Sequence, residues 1–198
     1  MKKTGILGGS FDPLHLGHCI IALDAMEQMG LDEVIFMPSA LSPLKPEAPS
    51  TQDHHRLAML EAALSGWPCF SWSDWEIRHG GTSYTIDTVK HLVASRAGER
   101  LFWIIGGDQL FKLNQWKSIE QLGKLIEFIC VDRPCYSELP SPPLSASVRV
   151  HRVVGHPFAI SSSEIRQRFE VGLPTAFFLP PEVSGYIENY QLYRSVNK

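Results

Sequence analysis

Two histidines, His15 and His18, stand three residues apart behind a glycine-rich stretch, Gly8-Gly9-Ser10-Phe11-Asp12-Pro13-Leu14. Imidazole can donate a hydrogen bond or a proton to a phosphate oxygen. Glycines let a backbone pass close to a ligand at φ values that other residues avoid. The apolar Gly5-Ile6-Leu7 before them reads as a short buried strand. A helical pattern follows, with Ile20, Ile21, Leu23, Ala25 and Met26 broken by Asp24, Glu27 and Gln28. Strand, glycine turn and helix start form the place where α/β folds bind phosphate, because free N–H groups and the helix dipole both point there. On such a helix the two rings share a face near its positive end. Zinc is the rival ligand, but a catalytic zinc needs a third protein ligand and only Asp12 is near in sequence. A satisfied surface pair is the plain alternative. The chemistry favoured is movement of phosphate groups.

Ile160-Ser161-Ser162-Ser163-Glu164-Ile165-Arg166 offers the same physics again, with hydroxyls and N–H groups at a helix start and Arg166 on its first turns. Alone it reads equally as a serine cap with a solvated arginine. Lys45, taken by itself, is an ordinary surface lysine in a proline-rich loop. Arg133, after an apolar strand, suits either a ligand-binding sheet edge or a surface salt bridge. Trp116, within the polar Asn114-Gln115-Trp116-Lys117, suits stacking on an aromatic ring or packing into the core. Asp108 suits a ribose hydroxyl, a metal ion or a helix cap. No GxGxxG follows the first strand and no GxxxxGK[ST] occurs, which disfavours a dehydrogenase or a P-loop ATPase.

The elements that must position these residues alternate strand and helix. Glu33–Pro38 is the second strand, after a stop at Gly30. Residues 39–50 hold three prolines and no periodicity, a surface loop of the length that is often functional. A helix is predicted from Asp53 to about Ser65, with Leu57, Leu60, Ala63 and Leu64 inward. Phe70–Ile77 alternates as an edge strand, Gly80-Gly81 turns the chain, and Tyr84–Ala94 is helical through Ile86, Val89 and Leu92. Leu101–Asp108 is an interior strand ending in glycines, and Leu125–Val131 another. Residues 134–147 read as a Pro- and Ser-rich loop, and Arg149–Val154 as a further strand. Ser161–Val171 is a helix capped by one of its serines, with Ile165 and Phe169 inward. Pro180-Pro181 opens a last helix to about Tyr190. The alternation implies an α/β fold, a doubly wound and mostly parallel sheet with helices on both faces. Ligands then bind beyond the carboxyl ends of the strands, where the turns after Gly8, Gly106 and Asp132-Arg133 gather.

Composition sets outer bounds. The chain has 198 residues, is 44% hydrophobic and 20% charged, and carries a net charge of −3. That suits one compact domain over 1–198 with a helical C-terminal portion at about 161–193. An acidic balance gives no support to a nucleic-acid partner but allows small anions. The four cysteines, Cys19, Cys69, Cys130 and Cys135, lack CxxC spacing, and no signal peptide or membrane-length apolar run is seen. The expectation is a cytoplasmic protein with reduced thiols and no membrane partner. A homo-oligomer is compatible with the sequence.

Together these segments resemble the nicotinate-nucleotide adenylyltransferase family, among the nucleotidyltransferases that carry a His-x-Gly-His motif. Gly8 to Pro13 with His15-Leu16-Gly17-His18 is similar to the superfamily's opening motif, and Ile160–Arg166 to its second phosphate motif. Ser83-Tyr84-Thr85, Ile104–Asp108 and Asp132-Arg133-Pro134 fall between them in the family's order, so the likeness runs from Met1 to about Tyr193. It implies transfer of AMP from ATP to nicotinate mononucleotide, giving deamido-NAD and pyrophosphate in NAD biosynthesis, with Mg²⁺ accompanying ATP and no covalent intermediate. By the resemblance His15, His18, Lys45 and Arg166 are catalytic. ATP is implied to contact Gly8, Gly9, Ser10, Phe11, His18, Gly106, Asp108, Arg133, Ser162, Ser163 and Arg166. The mononucleotide falls to Ser10, Lys45, Thr85 and Trp116, with Trp116 stacking on the pyridine and Thr85 near its carboxylate. Leu44 stands where relatives often have histidine, Ser163 where many have threonine, and Cys19 is unusual after the motif. Pantetheine-phosphate adenylyltransferase shares the opening motif but is typically shorter and lacks the Trp116 region. Nicotinamide mononucleotide as acceptor, a non-catalytic nucleotide-binding module and a class I aminoacyl-tRNA synthetase fragment are the other readings.

Overall fold

The computed structural model describes residues 1–43, 48–132 and 143–194. Its centre is a six-stranded sheet in the order β3-β2-β1-β4-β5-β6. The strands are β1 (Lys3–Gly9), β2 (Glu33–Pro38), β3 (Phe70–Trp72), β4 (Arg100–Gly106), β5 (Glu127–Asp132) and β6 (Val150–Val154), and every neighbouring pair is parallel. The helices are α1 (Leu16–Met29), α2 (Asp53–Leu64), α3 (Trp75–His79), α4 (Thr85–Ser95), the single turn α5 (Gly107–Leu110) and α6 (Ile119–Leu125), followed by α7 (Ser162–Glu170) and α8 (Pro181–Asn189). This is the doubly wound order, whose direction of winding reverses between β1 and β4. The reversal opens a crevice at the carboxyl ends of those two strands, where Gly9 and Gly106 lie.

Alternation along each strand divides the core into two layers. Leu7, Phe36, Phe102, Ile104 and Ile129 face one way, onto Ile21, Ala22 and Ala25 of α1, Leu60 of α2, Ile165 of α7 and Val183 and Ile187 of α8. Ile6, Ile35, Trp103, Ile105 and Phe128 face the other, onto Ile86, Val89 and Leu92 of α4 and Leu122 of α6. Full burial of each such side chain is worth about 1.5–3 kcal/mol. Both faces of β1 and β4 are thus clamped, and the turns at their ends inherit that rigidity.

The predicted strand over Phe70–Ile77 is corrected. The chain pairs as an edge strand only over Phe70–Trp72, then turns into α3 at Trp75. Trp72, Asp74 and Glu76 satisfy a period of two, but Glu76 faces inward because its carboxylate accepts the Thr88 hydroxyl (2.5 Å). Asp74 starts the helix, its carbonyl accepting the Arg78 N–H at 2.9 Å. The Leu101–Asp108 strand ends at Gly106, where α5 begins. Residues 134–142 of the predicted loop lie outside the described residues. Cys19, Cys69 and Cys130 are free thiols. No helix among the described residues is long and apolar enough to cross a membrane.

Candidate active site

The turn after β1 is built around a buried aromatic ring. Phe11 is fully buried, with a left-handed φ of 46° and its ring 5.7 Å from that of Phe36 and 4.9 Å from that of His18. A bulky residue in that region is strained, and it persists only where its surroundings hold it. His15 caps α1 and stacks on His18 with 3.7 Å between ring centroids. The His15 backbone N–H donates to His18 Nδ1 at 3.2 Å. In the neutral ring that leaves the hydrogen on Nε2, the nitrogen at the tip of the side chain. The pair shares the first turn of a 14-residue helix, the end where the macrodipole favours anions.

α7 docks its N-terminus against this turn. Ser161 caps it, accepting the Glu164 N–H at 3.2 Å, and Ser162 Oγ donates to the Pro13 carbonyl at 3.0 Å. Arg166 donates through Nη1 to the Asp12 carbonyl (2.7 Å) and through Nη2 to Ser163 Oγ (3.3 Å). Asp12 itself is buried. Its carboxylate accepts from the Tyr193 hydroxyl at 2.7 Å and from Ser50 N–H and Oγ at 2.7 and 2.8 Å. Burial works to raise that carboxyl, but the bonds from Tyr193, Ser50 and Thr51 outweigh it and hold it below the usual carboxylate range. Asp12 thereby ties the glycine turn to residue 50 and to the C-terminal segment.

Two cavities open onto this ground and share Gly8, Gly9, Ser10, Ser39, Ser42 and Gln109 as a common wall. The larger, of about 800 Å³, is lined by His15, His18, Gly106, Asp108, Ser161, Ser162, Ser163 and Arg166. The smaller, of about 460 Å³, is lined by Trp103, Trp116, Tyr84, Thr85, Glu76 and Lys117. One chamber presents cations and donors, as a polyphosphate requires. The other presents flat aromatic rings, as a heterocycle requires. Trp116 packs edge-on against Trp103 and Phe128, with centroids 6.5 and 6.0 Å away, and its buried Nε1–H has no partner among the described residues. Lys117 Nζ sits 3.9 Å over the Tyr84 ring and 3.8 Å from Asp87 Oδ2. Thr85 begins α4 beside them. Burial pushes the Glu76 carboxyl above its ordinary range, against bonds from Thr88 and Ser83 that pull it down.

Most of the residues singled out in the sequence therefore meet. Gly8, Gly9, Ser10, His15, His18, Gly106, Asp108, Ser162, Ser163 and Arg166 line the larger chamber, and Thr85 and Trp116 the smaller. Phe11 supports the wall from within the core. Lys45, Arg133 and Leu44 lie outside the described residues. Sequence reasoning missed Arg56, Glu76, Gln109, Lys117 and Tyr193. Gln109 follows directly on Gly107-Asp108 and was within reach of a motif argument. Arg56 sits on the inner face of α2 beside Met59 and Leu60, where only its periodicity hinted at burial.

The comparisons bear on the family and the fold. A family model described as cytidylyltransferase-like matches residues 6–168. A protein of Opitutus terrae named "Probable nicotinate-nucleotide adenylyltransferase" is 44% identical over 97% of this chain and 98% of its own length. The nicotinate-nucleotide adenylyltransferase of Bacillus subtilis is 40% identical over 98% of this chain and all (100%) of its own. The solved structure of the Plasmodium falciparum nicotinic acid mononucleotide adenylyltransferase complexed with NaAD has the same fold, with a TM-score of 0.78, 20% identity and 98% of both chains covered. With its sheet order, paired chambers and full-length relatives, this chain belongs to the nicotinate-nucleotide adenylyltransferase family of cytidylyltransferase-like proteins.

Proposed function

We propose that the protein transfers AMP from ATP to nicotinate mononucleotide, releasing pyrophosphate and forming deamido-NAD. The observation that carries this reading is the shared wall. A polyphosphate chamber and an aromatic chamber meet at Gly8-Gly9-Ser10, so two substrates seated in them touch at their phosphate ends. A phosphate oxygen of the mononucleotide attacks the α-phosphorus of ATP, and the bond from that phosphorus to the β-phosphate oxygen breaks as pyrophosphate leaves. Nothing in the chain has to form a covalent bond. Catalysis then rests on placing two anions in line and stabilising the charge that develops between them.

His15, His18 and Arg166 serve as donors to the ATP phosphates, with Ser162, Ser163 and the backbone of Gly8–Phe11 around them. Lys45 and Arg133 are assigned further phosphate contacts on the family pattern. Gly106 and Asp108, at the end of β4, suit the ribose side of ATP. Mg²⁺ is assigned to the ATP it accompanies, where it offsets phosphate charge. Among the described residues no three His, Cys, Asp or Glu gather as a resident site for it. Trp116 offers the ring face for the pyridine. The Lys117 ammonium and the start of α4 at Thr85 favour a ring bearing a carboxylate over one bearing an amide.

The reading is tested by where label goes. With ATP labelled at the α-phosphate, label must appear in a dinucleotide; with γ-label, all of it must appear in pyrophosphate. Label from the γ-position in the nucleotide product would mean a kinase-type transfer and defeat the proposal.

A further inference from the structure

Arg56 lies in α2, remote from both chambers in sequence, and its side chain is wholly buried at 0% exposure. Nη1 donates to the Ser10 carbonyl at 2.6 Å and Nη2 to Asp53 Oδ1 at 2.5 Å. Asp53 is half exposed, so the guanidinium keeps much of its charge toward the turn. The preceding carbonyl is held in the same manner, Gly9 C=O accepting the Ser39 N–H at 2.9 Å. In a trans peptide the C=O and the following N–H point in opposite directions. Two successive carbonyls anchored in the protein therefore turn two successive N–H groups, those of Ser10 and Phe11, the other way. Phe11 is the residue whose left-handed φ of 46° needs outside support.

We infer that Arg56 is a positioning residue for adenylyl transfer, locking the Ser10–Phe11 peptide so that its N–H faces the junction of the two chambers. The inference rests on the proposed transfer reaction. Arg56 touches neither substrate. It acts through the peptide it holds, and its buried positive charge adds to the field that an anion meets there. A surface lysine would do neither, because it brings no fixed fork and keeps its hydration.

The test compares wild type, Arg56→Lys and Asp53→Asn for thermal melting and for kcat and KM of ATP and of nicotinate mononucleotide. Arg56→Lys keeps the charge and most of the volume but loses the fork. It is expected to stay folded, with kcat lowered about 10- to 100-fold and the mononucleotide KM within about threefold of wild type, since the Trp116 chamber is untouched. Asp53→Asn, at a half-exposed site, is expected to fold and to lower kcat several-fold by loosening the guanidinium. A folded Arg56→Lys with wild-type kcat overturns the inference, as does a loss that only follows the folded fraction. Should the lysine variant not fold, an Asp53→Asn enzyme with wild-type kcat overturns it equally. A wild type that transfers no adenylyl group refutes the proposed reaction, a result separate from either.

Discussion

At the scale of single residues, the proposed reaction assigns the phosphates to the histidines and the pyridine to Trp116. His18 lies on the first turn of α1, where its Nδ1 accepts the His15 N–H. His18→Ala is expected to lower kcat about 100- to 1000-fold, the cost of removing one preorganised donor from a developing anion. Its melting temperature should stay near wild type, which circular dichroism can check. Near-normal turnover would remove the phosphate role from this turn. Trp116→Ala should raise KM for the mononucleotide by at least about tenfold, on the scale of a lost base-stacking contact, while leaving KM for ATP nearly unchanged. Equal losses for both substrates would refute the stacking assignment. The residues legible in the sequence were those in contiguous motifs. Arg56, Glu76 and Asp24 were not, because a buried charge is recognised by partners far away in the chain. Arg56 meets Ser10, Glu76 meets Thr88, and Asp24 accepts the His156 N–H (2.9 Å) and faces His156 Nδ1 at 2.6 Å. The sequence pattern took Asp24 for a break in an apolar face, whereas it is the buried anchor of the segment leading to α7.

At the scale of elements, the proposed chemistry falls to two helix starts, and close packing surrounds the first of them. A Cβ on Gly17 would lie 2.6 Å from Phe158 Cε2 and 3.0 Å from the His15 ring. Gly17→Ala must therefore displace the histidine, Phe158 or the helix itself. The expected result is a kcat loss of about tenfold or more, with destabilisation of about 1–3 kcal/mol from overpacking, read by activity assay and urea titration in parallel. An unchanged kcat would mean that the first turn of α1 has slack. Most elements were readable because their apolar spacing matched one period over a whole segment. α4, β2 and β4 bury the apolar residues that the pattern selected, and of those selected in α1 Ile21 and Ala25 are buried while Ile20, Leu23 and Met26 are partly so. The segment after Trp72 was misread because eight residues satisfy a two-residue alternation and a turn-plus-helix equally well. Only the Glu76–Thr88 contact decides between them.

At the scale of the whole molecule, one end of the sheet bears the chambers and the other an ion network. The carboxyl ends of the strands carry the two chambers. The amino ends carry an ion network, in which Glu33 accepts from Lys2 at 2.6 Å, Ser71 at 2.6 Å and Arg96 at 3.0 Å. Burial opposes ionisation of Glu33, but these partners outweigh it and hold its pKa at about 2, against 4.5 for a free glutamate. A depressed folded pKa means stability that is fully present above the unfolded value and lost as pH falls through the folded one. The stability gap between wild type and Glu33→Gln should therefore be constant above about pH 5 and shrink toward pH 2 in urea titrations. A gap independent of pH would show that the network contributes through shape alone. The parallel sheet followed from the alternation of strands and helices, whereas its strand order and switch point come from the structure. The pairing of two chambers did not follow from the alternation either, because it depends on how Ser39, Gln109 and the Trp116 segment fold back over the glycine turn. That pairing is the central claim, and its most direct test is pyrophosphate release from Mg·ATP with nicotinate mononucleotide, nicotinamide mononucleotide and phosphopantetheine as parallel acceptors. The account predicts strong preference for nicotinate mononucleotide, with the amide a poor second and phosphopantetheine inert. Preference for phosphopantetheine, or silence with all three in a protein that still binds ATP, would contradict it.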